Sequence, residues 1–229
     1  MQTIIKTIRS GAFAFAFSAS LCTSQAAVSY ADLLVPNASI TSGDKIFYNF
    51  TTPTQVGNLT VNLSDIFITP IQKGPDYGIR FQSALWELSG TGLTYDMEFE
   101  YDVRTVSGQP WIIGNTLEMT AGHSGTGTAT IDENVLAKDA LGFVADQIVY
   151  LNVGTPSTSD LIDSDIYSTG YFDLRVKKDL AMSTGANGIV SVSGFDQTFS
   201  QIPEPASALA SGVLLTCCLV LRRRDRQLA

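Results

Sequence analysis

Acidic side chains alternate along one strand-like segment of the chain, at Asp96, Glu98 and Glu100. Alternate residues of a β-strand share one face and lie about 6.5–7 Å apart. Retaining glycoside hydrolases need two carboxyl groups about 5–5.5 Å apart, one as acid and one as nucleophile. Glu98 and Glu100 could therefore carry out glycan hydrolysis. The alternative, which we favour, is a solvated strand face balanced by cations on neighbouring strands.

A second group of carboxylates, Asp160, Asp163 and Asp165, lies in a polar segment between Gly154 and Gly170. Oxygen-rich loops bind calcium, which makes these three residues a candidate calcium site. Their spacing differs from that of an EF-hand loop. A plain acidic loop without metal is the simpler interpretation.

The two tryptophans could stack on sugar rings, as exposed aromatic side chains do at carbohydrate sites. Trp86 lies between Leu85 and Leu88, which predicts a place in the core. Trp111 follows Pro110 at the start of a predicted strand and is the better surface candidate for carbohydrate.

Residues for nucleophilic catalysis are scarce. The three cysteines, Cys22, Cys217 and Cys218, all lie in the terminal segments, so a disulfide framework or a cysteine nucleophile in the body is excluded. His123 is the only histidine and sits beside Ser124 in a glycine-rich segment. Neighbours on a turn rarely form a nucleophile–base pair. We therefore predict a loop histidine and no catalytic activity.

The segments that must position these residues have the pattern of β-strands. Tyr95–Thr105 is the clearest, with Met97, Phe99, Tyr101 and Val103 on one face and charged residues on the other. Similar short segments follow one another, separated by Gly- and Asn-rich breaks. Many short strands at near-regular spacing predict an all-β, antiparallel sandwich, jelly-roll-like, over residues 27–201.

Charge is unevenly distributed along the chain. Between residues 27 and 221, eight basic residues accompany 21 acidic ones, which gives a net charge near −13. Such a body repels nucleic acid phosphates, so nucleic acid partners are not expected.

The N-terminal segment has the three-part layout of a secretory signal peptide over residues 1–26. Lys6 and Arg9 precede a short apolar run, and small residues end it at Ala26, so we predict cleavage between Ala26 and Ala27 after export by the Sec machinery. The alternative is a lipoprotein signal at Cys22, which Leu21 disfavours.

The C-terminal segment, residues 202–229, combines three features in a fixed order. Pro203, Glu204 and Pro205 come first, then 16 uncharged residues, and then Arg222, Arg223 and Arg224. As a helix the uncharged run extends about 24 Å, near the lower limit for crossing a bilayer. The arginines would hold its end in the cytoplasm. A plain membrane anchor is the alternative interpretation.

This order of features resembles the PEP-CTERM sorting signal. The resemblance implies cleavage near the Pro-Glu-Pro triplet by an exosortase, in a Gram-negative bacterium that produces exopolysaccharide and biofilm. Three body segments, 40–47, 77–82 and 197–201, also resemble proteins that carry this signal, and they bring no known activity. We expect a protein held transiently in the inner membrane and then placed at the cell surface or in the extracellular matrix, where polysaccharide is its partner. The alternative function is a carbohydrate-binding module, which calcium could assist, and a glycoside hydrolase comes after that.

Overall fold

The computed structural model describes residues 26–138, 142–154 and 157–201. Two antiparallel sheets pack against each other around one core, which confirms the prediction of an all-β antiparallel sandwich. Residues 1–25 of the predicted signal peptide and the whole predicted sorting segment lie outside the described residues. Within the described residues, no helix has the length and hydropathy needed to span a bilayer.

Fifteen strands and two short helices follow one another in the described ranges. The strands are β1 (Val28–Ser29), β2 (Ser39–Ser42), β3 (Lys45–Tyr48), β4 (Thr54–Gly57), β5 (Phe67–Lys73), β6 (Asp76–Gln82), β7 (Glu87–Gly90), β8 (Thr94–Thr105), β9 (Ile112–Gly125), β10 (Gly127–Ala137), β11 (Phe143–Val153), β12 (Thr158–Asp160), β13 (Ile162–Tyr171), β14 (Asp173–Ser183) and β15 (Gly188–Gln201). The helices are α1 (Tyr30–Leu33) and a 3-10 turn (Leu63–Asp65).

The two sheets contain seven and eight strands. The seven-stranded sheet has the order β1-β5-β6-β15-β9-β13, and β7 pairs with β15 alongside β6. The eight-stranded sheet has the order β12-β11-β10-β14-β8-β3-β2, and β4 pairs with β8. These sheets are larger than the two four-stranded sheets of a simple jelly roll.

Alternating side chains on the long strands build the core. On β8 the predicted inner face, Met97, Phe99, Tyr101 and Val103, is buried. Aromatic residues join the two sheets, since Phe99 of β8 lies 5.3 Å from Phe81 of β6 between ring centroids. The strand period of two thus places one face of each strand in the core and the other at the surface.

Several boundaries differ from the sequence prediction. The alternation over residues 45–51 predicts a strand, but β3 ends at Tyr48 because Asn49 takes a positive φ of 53° and its side-chain amide donates to Asp102. The change of phase in the apolar alternation between Phe81 and Ala84 predicts a bulge near Gln82. Instead the chain leaves the sheet over residues 83–86, opposite a register shift between Val192 and Gly194 of β15. The expected polar loop between 154 and 170 mostly forms β12 and β13.

Candidate functional site

An open cleft of about 940 Å³ lies on the solvent side of the seven-stranded sheet, where β6 ends and β7 begins. Its lining residues come from five strands of the sheet, β5, β6, β7, β9 and β15, from the segment between β6 and β7, and from the 3-10 turn. β6 and β7 pair with β15 on either side of its register shift. The gap in pairing between β6 and β7 opens the surface at this point.

The apolar part of the cleft consists of two exposed side chains above a rigid aromatic base. Phe67 is 42% exposed and Leu85 is 46% exposed. Beneath them Trp86 is buried and stacks on Phe195, with ring centroids 5.7 Å apart. The Trp86 carbonyl also accepts a hydrogen bond of 2.9 Å from the Val192 amide. The base of the cleft is therefore fixed in the core, while its rim presents apolar surface to solvent.

Ion pairs hold the polar wall of the cleft in place. Arg80 donates from Nε and Nη2 to both carboxylate oxygens of Asp196, at 2.6 and 2.7 Å. Lys73 pairs with Asp196 at 2.7 Å and also with Glu118. Burial by itself raises the pKa of Asp196, but hydrogen bonds from Arg80 and Lys73 bring that pKa below its usual value. Arg80, Gln82 and Glu87 line the cleft and bring hydrogen-bonding groups to it.

Trp111 lies at the surface, as its position after Pro110 predicts, and is 55% exposed. Its ring covers the backbone of Gly170, where an added Cβ would come within 2.9 Å of Trp111 Cβ. The cleft is elsewhere: Ile112 pairs with Gln201 at the far end of β15, about 23 Å along the strand from Gly194. Trp86 is in the core, as predicted.

The three candidate calcium ligands lie on two strands. Asp160 is exposed on β12, whereas Asp163 and Asp165 are half-buried on β13. The Asp163 carboxylate accepts hydrogen bonds from the backbone amides of Ile148 and Ser164, at 3.0 and 2.8 Å. Burial, followed by the charge of Asp163, raises the pKa of Asp165. In the described ranges, no three His, Cys, Asp or Glu side chains converge as a metal site would require.

The candidate glycosidase carboxylates lie on the outer face of the eight-stranded sheet. Glu100 pairs with Lys177 at 2.7 Å, across from it on β14. Glu98 lies opposite Asp179, whose pKa is raised by burial and then by the charges of Asp96 and Glu98. Glu100 thus has the cross-strand cation expected of a solvated strand face, whereas Glu98 is exposed opposite another carboxylate.

His123 is exposed within β9, paired with Val190 of β15. The prediction of a loop histidine was wrong, because pairing with β15 extends β9 through the glycine-rich residues 122–125.

The sequence analysis missed a polar cluster inside the sandwich. Lys178, Glu133 and Gln147 come from the eight-stranded sheet, and Asn115 and Gln197 come from the seven-stranded sheet; all five are buried. The signal was present in the alternation: Glu133 lies between the inward Ile131 and Val135, and Lys178 between the inward Val176 and Leu180. These positions belong to the core face of their strands.

Hydrogen bonds connect the five residues across the two sheets. Lys178 Nζ donates to Glu133 Oε2 and to Gln197 Oε1. Asn115 Nδ2 donates to Glu133 Oε1, and to Gln147 Oε1 at 2.8 Å. Burial lowers the pKa of the Lys178 amine and raises the pKa of the Glu133 carboxyl, because both charged forms lose their hydration.

Comparison with known proteins finds no matching family and no matching curated protein. Among solved structures, the chain is similar to TmCBM61 in complex with β-1,4-galactotriose (TM-score 0.32, 10% identity, 65% of this chain and 88% of that chain). It is also similar to the enzymatically active domain of bacteriophage CBA120 tailspike protein 4 (TM-score 0.30, 13% identity, 66% and 19%) and to the Glycosylation Associate Protein complex of Streptococcus agalactiae (TM-score 0.28, 11% identity, 65% and 26%). The chain thus spans less than a third of the latter two. Likenesses at these TM-scores carry no argument about the structure or function of this chain.

Proposed function

We propose that this chain is an exported, non-catalytic bacterial surface or matrix protein, sorted through its C-terminal segment, whose sandwich binds extracellular polysaccharide at the cleft between β6 and β7. The observation that carries the export and sorting is the order of features in residues 202–229. The Pro203-Glu204-Pro205 triplet begins two residues after Gln201, the last residue of β15. A processing enzyme of the exosortase type would therefore cut next to the sandwich and leave it intact.

The cleft has the mixture of groups that recognises a sugar. Pyranose rings pack their C–H faces on apolar and aromatic side chains, and their hydroxyl groups need oriented donors and acceptors. Phe67 and Leu85 supply the apolar surface, while Arg80, Gln82 and Glu87 supply the polar groups. Because two hydrogen bonds to Asp196 already order the Arg80 side chain, that side chain does not have to be ordered upon binding.

Charge favours a neutral polysaccharide over an acidic one. The body carries a net charge near −13, which repels polyanions. In the cleft, Arg80 is paired with Asp196, and Asp65 and Glu87 add negative charge. Trp111 remains a candidate for a second sugar contact, at the other end of the same sheet.

Affinity electrophoresis in neutral bacterial exopolysaccharides would test the binding site. We expect Phe67→Ala, alone or with Leu85→Ala, to weaken binding about tenfold, equivalent to about 1.4 kcal/mol. Ile166→Ala is the matched control, because Ile166 is an exposed apolar residue of the same sheet outside the cleft. Equal retardation of the Phe67→Ala variant and the wild type would remove the cleft from the proposal.

Two further measurements separate the proposed binding mode from calcium-assisted binding and from glycoside hydrolysis. We expect a chelator to leave binding unchanged, whereas loss of binding would favour the calcium-assisted mode with Asp160, Asp163 and Asp165. We expect no release of reducing ends from the bound glycan. Release that disappears in Glu98→Gln would instead support the glycoside hydrolase.

A further inference from the structure

The buried polar cluster brings three reactive groups into contact. Lys178 offers a primary amine, Gln197 a carboxamide and Glu133 a carboxyl group, and Lys178 Nζ contacts oxygen atoms of both other side chains. Lys178 and Glu133 are fully buried, and Gln197 is as well. Such proximity in a fixed geometry removes most of the entropic cost of a reaction between them.

The surroundings favour the reactive protonation states. Without hydration, burial moves the Lys178 amine toward its neutral, nucleophilic form and the Glu133 carboxyl toward its protonated form. The ring of Phe195 lies 5.6 Å from Lys178 Nζ, and the whole cluster is buried between the two sheets. Burial limits the access of bulk water as a competing nucleophile.

We propose that Lys178 and Gln197 form an intramolecular isopeptide bond in the folded protein, with Glu133 as the acid–base group. Lys178 Nζ attacks the carboxamide carbon of Gln197, and the C=O electron pair moves onto Oε1. Glu133 gives its proton to the Gln197 nitrogen and takes one from Lys178 Nζ. The C=O bond re-forms, the C–Nε2 bond breaks, and Nε2 leaves as ammonia. The amine and the carboxamide together hold four N–H hydrogens, of which one stays on the new amide and three leave.

Gln197 is the acyl partner because its carbonyl is the one that contacts the amine. Asn115 also belongs to the cluster, but it contacts Glu133 and Gln147 through its own nitrogen. The bond would join β14 of the eight-stranded sheet to β15 of the seven-stranded sheet, across 19 positions of sequence. It would thus fasten the two sheets together covalently, independently of whether the cleft binds polysaccharide.

Peptide mapping of the full-length chain, purified and fully denatured before proteolysis, tests the bond directly. We expect one branched peptide that links Lys178 to Gln197. Its mass should be about 17 Da below the sum of the two separate peptides, which is the mass of the ammonia that leaves. Two separate unmodified peptides would overturn the proposal. A loss of about 18 Da with linkage to Glu133, or linkage of Lys178 to Asn115, would overturn the assignment of Gln197. The result does not depend on how the chain termini are processed.

A pair of variants tests the role of Glu133. Glu133→Gln keeps the shape of the side chain but cannot exchange the proton, so the linked fraction should form about 100-fold more slowly or not at all. Gln147→Met is the control, because Gln147 contacts Asn115 and none of the reacting atoms. Circular dichroism checks that both variants fold. Linkage in folded Glu133→Gln at the wild-type rate would refute the acid–base role, and the wild-type peptide map decides on the bond even if that variant misfolds.

Discussion

Two contrasting electrostatic environments occur among the carboxylates on the outer faces of the described sheets. Asp102 and Asp196 are buried on the outer faces of their sheets, and each accepts hydrogen bonds from cations that reach them from solvent. Asp132 and Asp179 lie on neighbouring strands of the eight-stranded sheet, directly opposite each other, and Asp179 also faces Glu98. The neighbouring cations stabilise the ionised forms of Asp102 and Asp196, whereas the ionised forms of Asp132, Asp179 and Glu98 repel one another.

Asp102 should be the most sensitive of these carboxylates to substitution. It accepts hydrogen bonds from Lys138 at 2.7 Å, Arg175 at 3.0 Å and Asn49 at 2.8 Å. We expect Asp102→Asn to lower the free energy of unfolding by about 1–3 kcal/mol, because the cations lose their partner. Urea unfolding measures this. The control Glu98→Gln removes an exposed carboxylate next to Asp179 and should be neutral or slightly stabilising; an equal loss in both variants would contradict the account.

The two environments predict opposite pH dependences. The pKa of Asp102 is lowered: burial acts against this, but Lys138 and Arg175 outweigh it. Its stabilisation is present above the unfolded pKa of about 3.9 and is lost as the pH falls through the folded pKa. Burial first, and then neighbouring acids, raises the pKa of Asp179 and of Asp132. Their stabilisation is present below about 3.9 and is lost as the pH rises through the folded pKa.

Urea midpoints at pH 7, 5 and 3 test this difference. We expect stability to be higher at pH 5 than at pH 7, because the raised pKa values of Asp179 and Asp132 favour proton uptake by the folded state. We expect it to decline at pH 3, because the unfolded state then takes up protons that the lowered pKa values of Asp102 and Asp196 keep off the folded state. In Asp179→Asn the rise between pH 7 and pH 5 should be smaller than in the wild type. An unchanged rise would show that Asp179 is not its source.

Among the elements, β15 has the central position. It pairs with β9 on one side and with β6 and β7 on the other, its inner face carries Phe195, Gln197 and Phe199, and its outer face carries Asp196. The cleft, the ion pairs beneath it and the buried cluster therefore all depend on the register of one strand.

Gly78 on β6 provides a test of that register. A Cβ at Gly78 would lie 1.9 Å from the Gln197 carbonyl oxygen, an atom of the β15 backbone that cannot rotate away. We expect Gly78→Ala to reduce stability by about 1–3 kcal/mol. Gly122→Ala is the matched control, because its nearest contact would be the Ser191 hydroxyl at 3.3 Å and its φ is not positive. A lower unfolding temperature for Gly122→Ala than for Gly78→Ala would contradict the register of β6 and β15 described above.

Local pattern predicted the strands where one face is apolar and the other charged. Residues 95–105 form β8 with the expected inner face. The pattern failed where tertiary contacts decide: Asn49 ends β3 through its bond to Asp102, and pairing with β9 makes a strand of the acidic residues around Asp163. The surface position of Trp111 and the burial of Trp86 followed from their neighbours in sequence. The cleft could not be predicted, because its walls come from strands far apart in the chain. The buried polar cluster was missed because Lys178 and Glu133 are charged residue types on core faces that are otherwise apolar.

At the scale of the whole molecule, the proposed function requires export of an acidic sandwich between two terminal segments that resemble export signals. The strongly negative body and the arginines at residues 222–224 favour opposite sides of a membrane, because positively charged flanks are retained in the cytoplasm. In the proposed function, removal of the C-terminal segment would free the sandwich to bind polysaccharide outside the cell.

Mass spectrometry of the C-terminus of the protein, recovered from the surface and the matrix of its native cells, tests this claim most directly. We expect the mature chain to end near Pro203-Glu204-Pro205 and to lack Arg222–Arg224, whereas cells without exosortase, or a variant with the triplet changed to alanines, retain the full segment in the membrane fraction. Surface-exposed protein that still carries Arg222–Arg224 in cells with exosortase would contradict the account.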